Sequence, residues 1–355
     1  MTPAQKLHRE NNNMDAIRYV MAFSVVVAHF NELCGFDIPW PISSSTGVGG
    51  FFALSGFLIL HSYRANPGLR RFLTARALRI LPPYFLIVLL CAFLLAPVSD
   101  LTAAEYFGAA QWWRYLAANL TFLNFLEPAL PGVFGAPEFA TDAVNGSLWT
   151  MKVEWCLYLT VPLAVWLLGR MRRAGETRLF GWIIVGSTLY SLLFTWLWHT
   201  TEREIYAVLG RQFFGQLSFF YVGALAFTRL DTLLRRRWLI LALLAAGWLL
   251  MQTGPYARVA LRPVVEGGLV IWFSMTGSWG KYISRHDNVS YDIYLFHFPV
   301  LQLAVWIGLP AWGQWPCLLA AVAVTVVLSL LSWNLVGRPA LRRRRRKQVI
   351  CKSKK

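Results

Sequence analysis

Apolar residues along this chain fall in blocks of about 17–20, the length an α-helix needs to cross a ~30 Å hydrocarbon layer. The blocks recur from one end to the other, separated by short polar and often basic stretches. This pattern predicts helical spans at about 15–34, 47–63, 80–97, 147–168, 180–198, 212–228, 238–252, 264–280, 290–309 and 317–336. Ten helices with both termini on one side make an all-α polytopic membrane bundle. It divides into a cytoplasmic N-terminal segment at 1–13, a transmembrane domain at 14–337 and a basic cytoplasmic tail at 338–355. The first block is not read as a cleaved signal peptide, because polar Asn11 to Asn13 precede it and no small-residue cleavage site follows. No repeat relates the two halves, which disfavours transporter folds built from inverted repeats.

Composition agrees: 57% of the 355 residues are hydrophobic and 14% charged, which excludes a soluble globular protein as the default. The net charge of +17 would point to nucleic acid in a soluble chain, so its distribution matters. Of the 34 Lys and Arg, only Arg114, Arg203, Arg211, Arg258 and Arg262 fall on one face, with Arg18 and Lys152 inside spans. The rest share the face of the termini, among them Arg64, Arg70, Arg71, Arg76 and Arg79, then Arg170, Arg172, Arg173 and Arg178, then the run Arg342 to Lys347. The positive-inside rule makes that face cytoplasmic and accounts for the excess without a nucleic-acid partner. The basic tail then meets anionic membrane lipid. The 98–146 connection, with Glu105, Glu127 and Trp112, Trp113 and Tyr115, suits a partly interfacial cap on the outer side. The 5 cysteines form no CxxC pair or ligand spacing, so neither a disulfide framework nor a metal site is expected.

Ionisable groups inside apolar spans are expensive, which makes each a candidate for function. Arg18 and His29 are eleven residues apart on the first span, three turns, so they share a face about 16 Å apart along the axis. His29 should lie roughly 21 Å from the cytoplasmic end, and Glu154 about 10 Å in from the outer end of the fourth span, at similar depth. An imidazole and a carboxylate at one level suit a base and its orienting acid. The alternative is a packing histidine bonded to a carbonyl. Arg76 and Arg79 are i, i+3 neighbours on a short helix leading to Pro82 and Pro83, which should stop or kink it. Two guanidiniums on one face suit bidentate capture of phosphate, and plain positive-inside flanking is the alternative. The segment 47–58 (GVGGFFALSGFL) offers small residues for close helix packing and lacks phosphate-loop spacing. In the ninth span, SYDIYLFHFP carries Asp292, Tyr294 and His297; counted from the cytoplasmic side, His297 falls too far from His29 to share one small site. Glu266 either lines an acceptor vestibule or snorkels.

These segments, taken in order, form a pattern. Asp15-Ala-Ile-Arg18 with His29, GVGGFFALSGFLI, Arg76-Ala-Leu-Arg79 before Leu81-Pro-Pro-Tyr84, NGSLWTMKVEWCLYL around Glu154, and SYDIYLFHFP co-occur over essentially the whole chain. The chain resembles the membrane-bound acyltransferase-3 family, which acylates cell-envelope sugars and other extracytoplasmic acceptors. In that family the arginine and histidine of the first span and the arginine pair after the second are required, which maps onto Arg18, His29, Arg76 and Arg79. The chain departs in having Gly337-Arg338-Pro339 where many relatives carry an acidic residue, and the fused hydrolase-like domain of some relatives is not expected here.

The resemblance implies an acyl-coenzyme A donor, in the family usually acetyl-CoA, and a carbohydrate or glycolipid acceptor at a bacterial inner (plasma) membrane. Arg76 and Arg79, with Arg18, are expected to hold the donor. His29 is expected to be general base or transient acyl carrier, with Glu154 its partner and no metal involved. The rival from another class is a proton-coupled secondary transporter or lipid-linked sugar flippase, in which His29, Glu154 and Asp292 would relay protons.

Overall fold

The structure, a computed structural model, describes residues 3–168 and 173–342. Arg170, Arg172 and the basic run beyond Arg342 lie outside the described residues. Among the described residues the regular structure is helical throughout, with no strand. Each predicted block is a helix: α1 Met14–Cys34, α2 Ser44–Ala65, α3 Leu69–Leu94, α4 Trp149–Leu168, α5 Arg173–Thr201, α6 Phe213–Thr228, α7 Arg237–Leu250, α8 Pro255–Met275, α9 Ser290–Trp306 and α10 Gln314–Ser332. Apolar runs fold this way because a helix satisfies every backbone N–H and C=O within its own segment. Among the described residues, five helices are long and apolar enough to cross a membrane alone: α1, α2, α3, most of α5, and α10 with its extension to Arg342. A sixth is α8 taken with Trp279–Arg285, bent by 79°. Along α5 large apolar side chains face outward, Trp182 being 73% exposed, as a lipid-facing helix requires.

Two boundaries differ from the hydropathy reading. The third helix begins at Leu69, so Arg70, Arg71, Arg76 and Arg79 ride on the spanning helix itself. It also continues through Pro82 and Pro83, where a stop or kink was expected. Each proline removes one N–H, to the carbonyls of Leu78 and Arg79, and intact turns on either side carry the helix on. The eighth block runs from Pro255 only to Met275, because Gly277 then adopts φ +81°, which ends the helix without a steric cost.

The chain forms two compact units. The first comprises Met1–Met21, Ser45–Leu69 and Val153–Asn288. Within it α5 packs on α6, and α8 on both α6 and α7. Helices α2 and α6 meet backbone to backbone: a Cβ at Gly56 would strike the Phe220 carbonyl, and one at Gly223 the Ala53 carbonyl. The small residues of 47–58 thus do the packing expected of them. The polar segment ahead of α1 caps α8, whose last carbonyls lack helical partners. Asn13 Nδ2 donates to Phe273 O (3.0 Å) and Thr276 O (2.9 Å). Asp15 in turn accepts from Arg9 (2.7 Å) and from Asn288 Nδ2 (3.0 Å).

The second unit comprises Ala22–Ser44, Arg70–Lys152 and Val289–Lys355. Helix α9 packs on α10, and Phe30, Leu33, Phe298, Leu301 and Cys317 share its core. The 98–146 segment folds into short helices, Ala103–Gly108 and Ala110–Leu120, the first opened by a reciprocal Thr102–Glu105 capping box. The Thr102 hydroxyl and N–H hold the Glu105 carboxyl below the usual carboxylate range. Trp112 Nε1 (2.9 Å) and Tyr106 OH (3.0 Å) both donate to Ala92 O, while Trp113 stays 62% exposed.

Candidate active site

Helix α9 carries Pro299, which has no N–H to give to the Leu295 carbonyl four residues earlier. Asn145 Nδ2 fills that place at 2.8 Å. The same Asn145-Gly146-Ser147 turn is held by Ser147 Oγ donating to Asn145 Oδ1 (2.6 Å) and by Tyr294 OH donating to the Ser147 carbonyl (3.1 Å). Gly146 suits this close approach, since a Cβ would lie 2.8 Å from the Phe298 ring, which would have to shift. The NGS and SYDIYLFHFP motifs therefore lock together within the second unit and fix the height and rotation of His297.

His297 meets His29. The two rings are nearly parallel (10°), with centroids 5.1 Å apart and His29 Nδ1 2.8 Å from His297 Nε2. This corrects the expectation that His297 lies too deep to share a site with His29. Counting axial rise ignores helix tilt, and tilt can bring residues of unequal count to one level. His297 is fully buried and His29 half-buried, with the edge of Phe298 against its ring at 5.2 Å. One turn beyond His29, Glu32 lines a cleft of about 450 Å³ together with Gly35, Glu138 and Phe139.

The other predicted residues take the following places. Arg76 and Arg79 are half-buried on α3 rather than splayed into solvent, and Arg79 lies within electrostatic reach of Asp292. Asp292 is buried and accepts from Ser332 Oγ at 2.6 Å. Arg18 is half-buried on α1. Glu154, in the first unit, accepts from Tyr158 OH one turn along α4 and from Ser55 Oγ at 3.5 Å. The neighbour of His29 Nδ1 is His297, where the sequence reading expected Glu154 as the partner of His29. Glu266 forms an ion pair with Arg262 at 2.8 Å. Sequence reasoning missed the His29–His297 contact, the Asn145 bond to α9 and the Tyr158 hydroxyl on Glu154. The last two carried a signal: a proline orphans the carbonyl four residues back, and i, i+4 residues meet on a helix. Among the described residues no group of three or more His, Cys, Asp or Glu is arranged to hold a metal ion.

The described residues are helical, with five or six helices long and apolar enough to cross a membrane and two imidazoles in contact, the framework of a membrane-associated protein. The family model described as "Acyltransferase domain" matches residues 11–334, and the chain belongs to this acyltransferase-3 family. It is an acyltransferase by that membership. Among its relatives, "Nodulation protein 10" of Rhizobium leguminosarum bv. viciae is 28% identical, covering 94% of this chain and 94% of its own. An "O-acetyl transferase" of Shigella phage Sf6 is 24% identical over 94% of this chain and 97% of its own. No solved structure matches the chain.

Proposed function

We propose that the protein moves an acyl group, acetyl in the first instance, from acyl-coenzyme A to a hydroxyl of an extracytoplasmic carbohydrate or glycolipid. The observation that carries this reading is the acyltransferase match over residues 11–334, which takes in every candidate residue. The acetyl group follows the O-acetyl transferase activity named for the phage relative, and the coenzyme A donor and carbohydrate class follow the family resemblance. In this reading the chain crosses the bacterial inner membrane ten times with both termini cytoplasmic, as the basic face indicates.

His29 takes the proton of the acceptor hydroxyl while that oxygen attacks the thioester carbonyl. The C–S bond breaks and the thiolate leaves, recovering the proton from His29. A variant of the same chemistry has His29 carry the acyl group between donor and acceptor. Arg76 and Arg79, i, i+3 on α3, present planar guanidiniums to the phosphates of coenzyme A. Their half-burial fits ligand capture better than plain topology flanking, which leaves side chains in solvent. Arg18 serves the arm of the donor, and Glu154 contributes a hydroxyl-bonded carboxylate.

The test is labelled acetyl-coenzyme A given to the purified protein with envelope glycan from the producing cell. Alkali-labile label on the glycan is expected, because an O-acyl ester is cleaved by base. Absence of both coenzyme A binding and ester label, the behaviour of a transporter, overturns the proposal.

A further inference from the structure

We infer that His297 is a positioning residue that sets the tautomer of His29, leaving His29 Nε2 as the bare, reactive nitrogen. The inference rests on His29 being the reacting base, and it follows from where the protons must be. His297 Nδ1 lies 3.2 Å from the carbonyl oxygen of Ile293. A carbonyl only accepts, so His297 Nδ1 carries the hydrogen and donates. Neutral His297 then has its lone pair on Nε2, the atom 2.8 Å from His29 Nδ1. Two lone pairs cannot face each other at that distance, so His29 Nδ1 carries the hydrogen and donates to His297 Nε2. The remaining nitrogen of neutral His29, Nε2, has no hydrogen.

The same bond serves both halves of the reaction. When His29 Nε2 accepts a proton, Nδ1–H still donates to His297 Nε2, and the bond becomes charge-assisted without either ring turning. The position of His297 is itself built in: it is fully buried, and α9 is pinned by Asn145 at Leu295 O. Tyr294 OH is engaged with Ser147 O at 3.1 Å and Thr150 Oγ1 at 3.0 Å. His297 therefore plays the part a carboxylate plays beside other catalytic imidazoles, fixing which nitrogen is free.

The test compares His297→Phe with His297→Gln in the full-length protein. Phenylalanine fills the space but cannot accept a hydrogen bond; the glutamine Oε1 can replace the lost Nε2 acceptor. His297→Phe should insert and bind coenzyme A normally, with an unchanged KM and kcat lowered on the order of 10–100-fold. His297→Gln should recover most of that loss. Nitrogen-15 solid-state NMR of histidine-labelled protein, with His29 identified by subtraction of the His29→Ala spectrum, should show hydrogen on Nδ1 and none on Nε2. Full kcat in His297→Phe, equal losses in both variants, or hydrogen on His29 Nε2 in the wild type would each overturn the inference. If His29→Ala itself keeps full turnover, the base assignment is at fault, a result separable from all three.

Discussion

The two compact units bury polar groups within apolar helices in different ways. In the second, two imidazoles share one hydrogen bond at 2.8 Å, and a backbone carbonyl orients the inner ring. In the first, the Glu154 carboxylate accepts from the hydroxyls of Tyr158 and Ser55. Hydroxyl donors around a carboxylate use its lone pairs to hold it in place. The imidazole pair uses one nitrogen of His29 for positioning and leaves the other for chemistry. In the proposed function, this difference gives proton transfer to the histidine cluster and a supporting role to the carboxylate cluster.

The largest expected effect that sharpens this contrast comes from the arginine pair on α3. Replacing Arg76 and Arg79 together by Lys keeps the charge and removes the planar fork. Coenzyme A affinity should fall about tenfold or more, with insertion intact. Unchanged binding by calorimetry would return both residues to a topological role. A smaller effect is expected at the carboxylate cluster. Glu154→Gln keeps an oxygen for Tyr158 and Ser55, so turnover should drop only about fivefold, the equivalent of about 1 kcal/mol. Loss of turnover to background in this variant would put Glu154 in the proton path and end the contrast. The smallest change in activity is expected from Gly146→Ala, whose new methyl meets the Phe298 ring. It should lower stability by about 1–3 kcal/mol, seen as an earlier thermal transition in detergent, while most turnover per folded molecule is retained. A variant as stable as the wild type would mean that the NGS turn does not constrain α9.

Much of the helical framework was legible because apolar runs of spanning length have one backbone solution. The glycine contacts between α2 and α6 were legible as well, since small residues spaced along apolar helices mark close approach. Helix ends were less so: α3 starts at Leu69 because an arginine-rich stretch with good helix formers continues the helix past the apolar edge. The deepest miss was His297. Hydropathy locates where an apolar run begins and says nothing of tilt, so residues counted to different depths on α1 and α9 proved to be in contact. Glu154 was recognisable as a buried carboxylate, but its Tyr158 partner one turn away was overlooked in favour of a partner on another helix.

The central claim is that an imidazole at position 29 moves the proton in acyl transfer. Its most direct test is the rate of ester formation from labelled acetyl-coenzyme A by purified His29→Ala beside the wild type, with insertion and coenzyme A binding measured on the same preparations. The account predicts normal insertion and binding with ester formation at background, a loss of at least about 100-fold. Ester formation at the wild-type rate by His29→Ala would contradict it.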